Sequence, residues 1–221
     1  MTERIPIVEN IMNANDRLAM DNRETLDRAG VFSINLMASP GAGKTSLIER
    51  TLAALVDRFN IAVIDGDVAT SIDADRAAAA GATAVQINTG GQCHLDATQL
   101  RSALAQLDLD PIDLLVVENV GNLICPAGFK IGMHKSVLIA SVPEGDDKPY
   151  KYPGMYRGVD ALVINKTDLL PYVEFDMDYF RRGVELLNEN LVTFPVSCKT
   201  GEGMDAWIEW LTSHVAEKAA A

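Results

Sequence analysis

Short apolar runs alternate along the chain with stretches of helical period. Residues 8–29 put Val8, Ile11, Met12, Leu18, Ala19, Leu26 and Ala29 at helical spacing, with polar residues on the other faces and Gly30 as a natural stop. That segment reads as an amphipathic helix, and we expect it, as residues 1–30, to pack onto a main domain over 31–221 or onto a partner. The runs at 31–37, 61–65, 84–88, 114–118, 137–142, 161–165 and 191–196 are apolar and of strand length. Helical patterns fall between or after them at 45–57, 71–80, 95–107, 176–190 and 203–218. Alternation of this kind predicts an α/β fold with a mostly parallel sheet and helices on both faces. In such sheets ligands bind at the carboxyl ends of the strands. There is no internal repeat and no low-complexity linker.

The unusual residues fall just after the predicted strands. Ala38-Ser39-Pro40-Gly41-Ala42-Gly43-Lys44-Thr45 joins the first run to the helix at 45–57. It has the form of a phosphate-binding loop, with alanine where the pattern has its first glycine. Gly41, Ala42 and Gly43 can bring backbone N–H groups close to phosphates. In that pattern Lys44 reaches the β- and γ-phosphates and Thr45 places its hydroxyl on Mg²⁺. Ser46 serves the α-phosphate or caps the helix. The domain at 31–221 is therefore expected to have the P-loop NTPase fold.

Asn165-Lys166-Thr167-Asp168 follows the run at 161–165 and has the Asn-Lys-x-Asp form of guanine-specific GTPases. Asp168 can accept hydrogen bonds from guanine N1–H and the 2-amino group, which adenine does not offer. Sites built on such bonds discriminate by about 10⁴-fold. The Lys166 stem can pack on the base, and Asn165 can tie this loop to the phosphate loop. Ser197-Cys198-Lys199, after the last run, resembles the second base-contact loop of the same proteins and places Cys198 in the base pocket. Asp67, in Asp65-Gly66-Asp67, is placed to hold Mg²⁺. Glu118 sits where a second nucleotide-sensing acid is expected, and Gly121 gives its loop freedom to respond. Either Asp73 or Asp75 can orient an attacking water, or cap a helix instead. No arginine finger is evident beyond Arg76, so turnover should be slow.

Charge and cysteine count narrow the setting. Nineteen lysines and arginines against 31 aspartates and glutamates give −12, which argues against gripping nucleic acid or an anionic membrane. No apolar run has the length of a bilayer span, and the N-terminal residues lack the pattern of a secretory signal. Three cysteines, Cys93, Cys125 and Cys198, suggest a reducing, cytoplasmic setting without a disulfide framework. Cys93 and His94 follow Gly90-Gly91-Gln92 after the run at 84–88, and Cys125 follows the run at 114–118. Both segments fall at the carboxyl edge. Thiolate and imidazole suit Zn²⁺ and also Ni²⁺. One chain supplies three soft ligands, so a symmetric dimer offers a fuller set. His134 and His214 show no such pattern and read as a loop residue and a helix-surface residue.

The ordered set Ser-Pro-Gly-Ala-Gly-Lys-Thr, Asp-Gly-Asp-Val, Gly-Gly-Gln-Cys-His-Leu-Asp, Glu-Asn-Val-Gly-Asn-Leu-Ile-Cys-Pro and Asn-Lys-Thr-Asp resembles the hydrogenase nickel-incorporation GTPases, the HypB family. The likeness runs over nearly the whole chain. It implies a GTPase that binds GTP/GDP with Mg²⁺ and dimerises across its nucleotide face. It also implies Ni²⁺ or Zn²⁺ at Cys93, His94 and Cys125, and nickel delivery to [NiFe]-hydrogenase precursors alongside a HypA-type metallochaperone. Residues 1–92 hold no cysteine or histidine, so the additional N-terminal nickel sites of some members are not expected here. A urease-type nickel GTPase, a signalling or translation GTPase with an incidental cysteine pair, and a metal-storing nucleotide-binding protein are the competing readings. The urease family has Cys-Pro-His where this chain has Cys93-His94.

Overall fold

The computed structural model describes residues 7–67 and 72–220, without the side chains of residues 7–11 and 13. Seven apolar runs form seven strands: β1 (Phe32–Ala38), β2 (Ile61–Asp67), β3 (Thr83–Asn88), β4 (Leu114–Glu118), β5 (Lys135–Ser141), β6 (Ala161–Asn165) and β7 (Val192–Pro195). They pair in one sheet of order β3–β2–β4–β1–β5–β6–β7. Every pairing is parallel. β1, β4 and β6 are buried at every position, which is why they read as unbroken apolar runs rather than as alternations.

The α-helices among the described residues are α1 (Ile7–Arg28), α2 (Lys44–Leu55), α3 (Ile72–Ala79), α4 (Ala97–Leu104), α5 (Lys148–Lys151), α6 (Pro153–Arg157), α7 (Met177–Glu185) and α8 (Met204–Ala219). Phe32, Ile34 and Leu36 of β1 face α2 and α8 through Leu47, Leu52, Trp207 and Leu211. The opposite face carries two separate apolar clusters. One joins Leu26 of α1 to Leu100 and Leu104 of α4, and the other joins Tyr156 of α6 to Phe180 of α7. The sheet is thus covered on both sides, as the alternation predicts.

Three details depart from the sequence pattern. The helix expected at 95–107 is confined to α4, because Asp96 accepts from the Gln99 amide and Gln99 returns a bond to the Asp96 amide, a capping box that fixes the start. α5 and α6 were not expected; each is about one turn long, with a proline at its second residue in α5 and its first in α6. The buried side of α1 is only partly apolar. Asn15 donates to Lys130 O at 2.8 Å and accepts from the Ala97 amide at 3.0 Å. Asn22 donates to Ala97 O and Ile131 O, and Arg23 to Gly132 O and Met133 O. Residues 1–6, Val68 and Ser71, which belong to the N-terminal segment, the Asp-Gly-Asp-Val motif and the expected start of α3, lie outside the described residues.

β4 returns to β5 without an α-helix. The connection makes one 3₁₀ turn at Cys125–Gly128 and then runs along α1. A cavity of about 580 Å³ remains between α1, α6 and this segment, floored by Asn35, Met37 and Ser136.

Candidate nucleotide and metal site

The loops at the carboxyl ends of β1, β2, β4, β6 and β7 bring the motif residues to one edge. After β1 the chain turns through 39–43 into α2. Gly43 has φ +105°, and a Cβ there would lie 2.3 Å from Asn165 Nδ2. Only glycine fits that approach. α2 starts at Lys44 with no side-chain cap, so its first amides and the helix dipole face the loop and suit an anion.

Behind the loop stand two buried acids on neighbouring strands, Asp65 and Glu118, aligned in register. The Thr45 hydroxyl donates to Glu118 Oε1 at 3.1 Å, and Lys44 Nζ lies 3.9 Å from the same oxygen. Burial pushes the Asp65 carboxyl up to about 6, with the charges of Asp73 and Asp67 adding to it. Burial lifts Glu118 to about 7, against the opposing pull of Lys44. Asp65 Oδ2 is buried with no hydrogen-bond partner among the described residues. Two acids held above their ordinary range, one with an unpaired buried oxygen and the other bonded by a threonine hydroxyl, are a donor set that fits a hard divalent cation, whose charge restores both carboxylates. Asp67 ends β2, and its carbonyl accepts from the Thr89 amide at 2.9 Å. Asp73 and Asp75 lie on α3; Asp73 adds its charge to the Asp65–Glu118 pair, whereas Asp75 is exposed. Arg76 is engaged by Glu49 through two bonds, at 2.8 and 2.9 Å, and also reaches Asp73.

A cavity of about 640 Å³ continues from Gly43 and Ser46 to Asn165, Lys166, Asp168 and Cys198. Asn165 Nδ2 donates to Ala42 O at 2.9 Å, while its Oδ1 accepts from the amides of Lys166 and Cys198. Lys166 is the one non-glycine described residue at positive φ, 64°, and its ammonium donates to Gly41 O at 2.6 Å. Strain held at such a position marks a functional loop. The Ser197 hydroxyl donates to Asp168 Oδ1 at 2.6 Å and so orients the carboxylate that sequence reading assigns to the base. Lys199 lines the same cavity. The Cys198 thiol is buried there and pushed up to about 11 by that burial, far from the range of a reactive thiolate.

Cys93, His94 and Cys125 converge: one ligand atom from each lies within 4.8 Å of the others. The two sulfurs are 2.9 Å apart, and Cys93 Sγ is 3.7 Å from His94 Nδ1. The hydrogen bond from the Cys93 thiol to Cys125 holds Cys93 above its ordinary value. Burial lowers His94, which keeps the imidazole neutral, the form that binds metal. Asn122 shapes the site, donating to Cys93 O and accepting from the amides of Ile124 and Cys125. The Phe129 ring lies 4.1 Å from that of His94, centroid to centroid.

The two sites are joined through the backbone. Asn119 follows Glu118 directly; its Oδ1 accepts from the Leu95 and Val120 amides, and its Nδ2 reaches Asn35 Oδ1. Gly121 lies so close to the phosphate loop that a Cβ there would stand 3.1 Å from Pro40. Sequence reading missed Asn119, Asn122 and Phe129. The two asparagines lie in the segment between Glu118 and Cys125, which was the available signal; Phe129 carried none. His134 and His214 are both half-buried, the former in the loop before β5 and the latter on α8 against Trp210.

Known proteins resemble this chain in sequence and fold. Residues 32–194 match the family model described as CobW/HypB/UreG, nucleotide-binding domain. The hydrogenase maturation factor HypB of Rhizobium leguminosarum bv. viciae is 47% identical over 218 residues, 98% of this chain and 73% of that protein. The crystal structure of HypB from Archaeoglobus fulgidus aligns with a TM-score of 0.86 at 39% identity, covering 92% of this chain and 99% of that one. The structure of Helicobacter pylori HypB in complex with nickel aligns at 0.88 and 35% identity, covering 93% and 97%. With the phosphate loop, the base loop and the Cys-His-Cys cluster on one sheet edge and likeness of this extent over most of its length, the chain belongs to the HypB family of hydrogenase maturation factors.

Proposed function

We propose that this chain is a GTP-hydrolysing metallochaperone that carries nickel toward [NiFe]-hydrogenase. Gly41, Ala42, Gly43, Lys44, Thr45 and Ser46 bind the phosphates, while Asn165, Lys166, Asp168, Ser197, Cys198 and Lys199 bind guanine. Thr45 and Asp67 hold Mg²⁺, which when bound neutralises phosphate charge. Lys44 stabilises the charge that develops on the transferred group, Glu118 senses the nucleotide, and Asp75 or Asp73 orients the attacking water. Cys93, His94 and Cys125 take the cargo, Ni²⁺ or Zn²⁺. A second copy of the chain completes the ligand set across the nucleotide face. A HypA-type metallochaperone and the hydrogenase large-subunit precursor are its partners.

The observation that carries this reading is the short path between the sites. Glu118, beside Lys44 and Thr45, runs through Asn119 and the Gly121–Pro40 contact to Cys125. Occupancy of the phosphate loop therefore bears on the segment that holds a metal ligand, an order–disorder switch of the kind set by a γ-phosphate. The test is nickel affinity and oligomeric state with GDP and with a non-hydrolysable GTP analogue. Tighter binding and dimerisation with the analogue are expected; equal affinity with no change in assembly overturns the coupling. GTP turnover that survives Lys44→Ala overturns the enzymatic reading.

A further inference from the structure

The two sulfurs of the Cys-His-Cys cluster come from loops whose strands are not neighbours. Cys93 follows β3 and Cys125 follows β4, with β2 lying between those strands. Hydrogen bonds on either side of the Cys93–His94 pair draw the loops together. Asn122 Nδ2 donates to Cys93 O at 3.2 Å, and Asn119 Oδ1 accepts from the Leu95 amide at 3.0 Å. The backbone thus brings two free thiols to 2.9 Å, sulfur to sulfur. A disulfide spans about 2.0 Å, so the remaining gap is within reach of side-chain rotation. Access is graded as well. Cys93 is exposed, Cys125 is half-buried and Cys198 is buried. A reagent therefore meets Cys93 first, with Cys125 at hand to displace it. An accessible thiol beside a resolving thiol is the arrangement of redox-sensing cysteines. Where disulfides occur in a reducing setting, they are mostly of that transient kind.

We propose that Cys93 and Cys125 are a reversible modification site: they close into an intrachain disulfide that excludes the metal, so the cluster alternates between a dithiol that takes nickel and a disulfide that does not. This rests on the metal reading above and adds its regulation. The oxidant is a low-molecular-weight disulfide of the glutathione class. Cys93 gives its thiol proton to solvent, and its sulfur attacks one sulfur of the oxidant. The oxidant's S–S bond breaks, and one half leaves as a thiolate that takes up a proton. Cys125 then loses its own proton and attacks the Cys93 sulfur of the mixed disulfide. The second half of the oxidant leaves and is protonated in the same way. Two protein thiols are oxidised, one disulfide is reduced to two thiols, and the protons balance. The joined sulfurs no longer carry the thiolate charge that binds a cation, which leaves His94 as the one ligand of the three. A bound metal occupies both sulfurs and blocks the first attack.

The experiment treats the metal-free full chain with oxidised glutathione and reads intact mass, peptide mapping and nickel titration. The expected product is lighter than the reduced chain by two hydrogens and yields a Cys93–Cys125 cross-linked peptide. Cys198 should be the one cysteine that alkylates after denaturation. Nickel affinity should fall by more than about 100-fold, since loss of a single outer-shell partner already costs about 10–100-fold. Dithiothreitol should restore it, and nickel added before the oxidant should slow the reaction. Cys125→Ser should stop at the mixed disulfide, one glutathione heavier. A parent that stays reduced or accumulates glutathione adducts overturns the proposal. So does a cross-link through Cys198 or between chains, or an oxidised chain that binds nickel as tightly as the reduced one. Thermal unfolding checks that Cys125→Ser folds, and if it does not, the parent's mass and cross-link decide alone. A reduced parent that binds no nickel overturns the metal reading instead, and the mass and cross-link still decide whether the disulfide forms.

Discussion

The Ser33 amide can only donate, so its 3.1 Å contact with His134 Nδ1 makes that nitrogen an acceptor. The proton of the neutral ring then sits on Nε2, which donates to Asp27 Oδ1 at 2.9 Å. Burial, with Arg23 and Lys218 near, holds His134 below its ordinary value of 6.5 against the pull of Asp27. Aspartate, histidine and serine in a row have the order of a hydrolytic triad, but Ser33 is fully buried in β1 and its hydroxyl also accepts from the His134 amide. The row pins α1, β1 and the β5 approach together, and Lys218 of α8 joins it at Asp27. The linkage has a definite sign. The unfolded chain takes up a proton at His134 near pH 6.5 and the folded chain only lower, so stability from this residue is present above 6.5 and is lost as pH falls through it. Urea unfolding at pH 7.5 and 5.5 should show a smaller pH-dependent loss in His134→Gln than in the parent, although the variant starts less stable. Equal losses in both chains would show that His134 is not the titrating group.

Asn119 does at the level of elements what His134 does locally. It is 1% exposed and ties the end of β4 to the amide of Leu95, just ahead of α4, and to Asn35 of β1. Asn119→Ala leaves the Leu95 amide and the Asn35 oxygen unpaired, so a loss of about 2–4 kcal/mol is expected in chemical denaturation. A loss under 1 kcal/mol would mean that water replaces the side chain. In α6 the sign reverses. Gly154 is helical, has negative φ, and a Cβ there meets nothing within 4 Å. Gly154→Ala should gain about 0.4–1 kcal/mol, read as a raised urea midpoint at unchanged slope. The central strands were legible because burial on both faces removes polar positions from the sequence, the edge strands β3 and β7 because their short apolar runs recur between helical stretches, and the phosphate and base loops because their chemistry needs fixed residue types at fixed spacing. α5 and α6 were not, since one turn is too short to show a period. The Asp96–Gln99 capping box was visible and passed over in favour of the longer apolar pattern. The Arg50 bonds to the Cys198 and Lys199 carbonyls left no trace because their partners are backbone atoms, which every residue type carries.

At the scale of the whole molecule, the N-terminal helix decides how the segment after Cys125 is held. Lacking a crossover helix, the β4–β5 connection rests on α1, whose Asn15, Asn22 and Arg23 take the carbonyls of residues 130–133. Those residues follow Phe129, the ring against His94, and the turn that begins at Cys125. Leu26 of α1 is completely buried in the cluster with Leu100, Leu115 and Ile131. Removing residues 1–30 therefore uncovers Leu26's neighbours and strips several buried carbonyls of their donors. Each buried leucine contributes roughly 1.5–3 kcal/mol and each orphaned group costs about 1–3 kcal/mol. Their sum is on the order of the whole stability of a domain, about 5–15 kcal/mol. The chain cut to 31–221 should show no cooperative thermal transition, and a melting temperature within a few degrees of the full chain would refute this. Asn22→Ala is the milder form of the same test. It should fold with reduced stability and bind nickel more weakly than the parent, because the segment from Cys125 to Met133 loses its bond at Ile131 O and α4 loses its tie to α1 at Ala97 O. Unchanged nickel affinity in a destabilised Asn22→Ala would place α1 in the fold alone and free the metal segment from it.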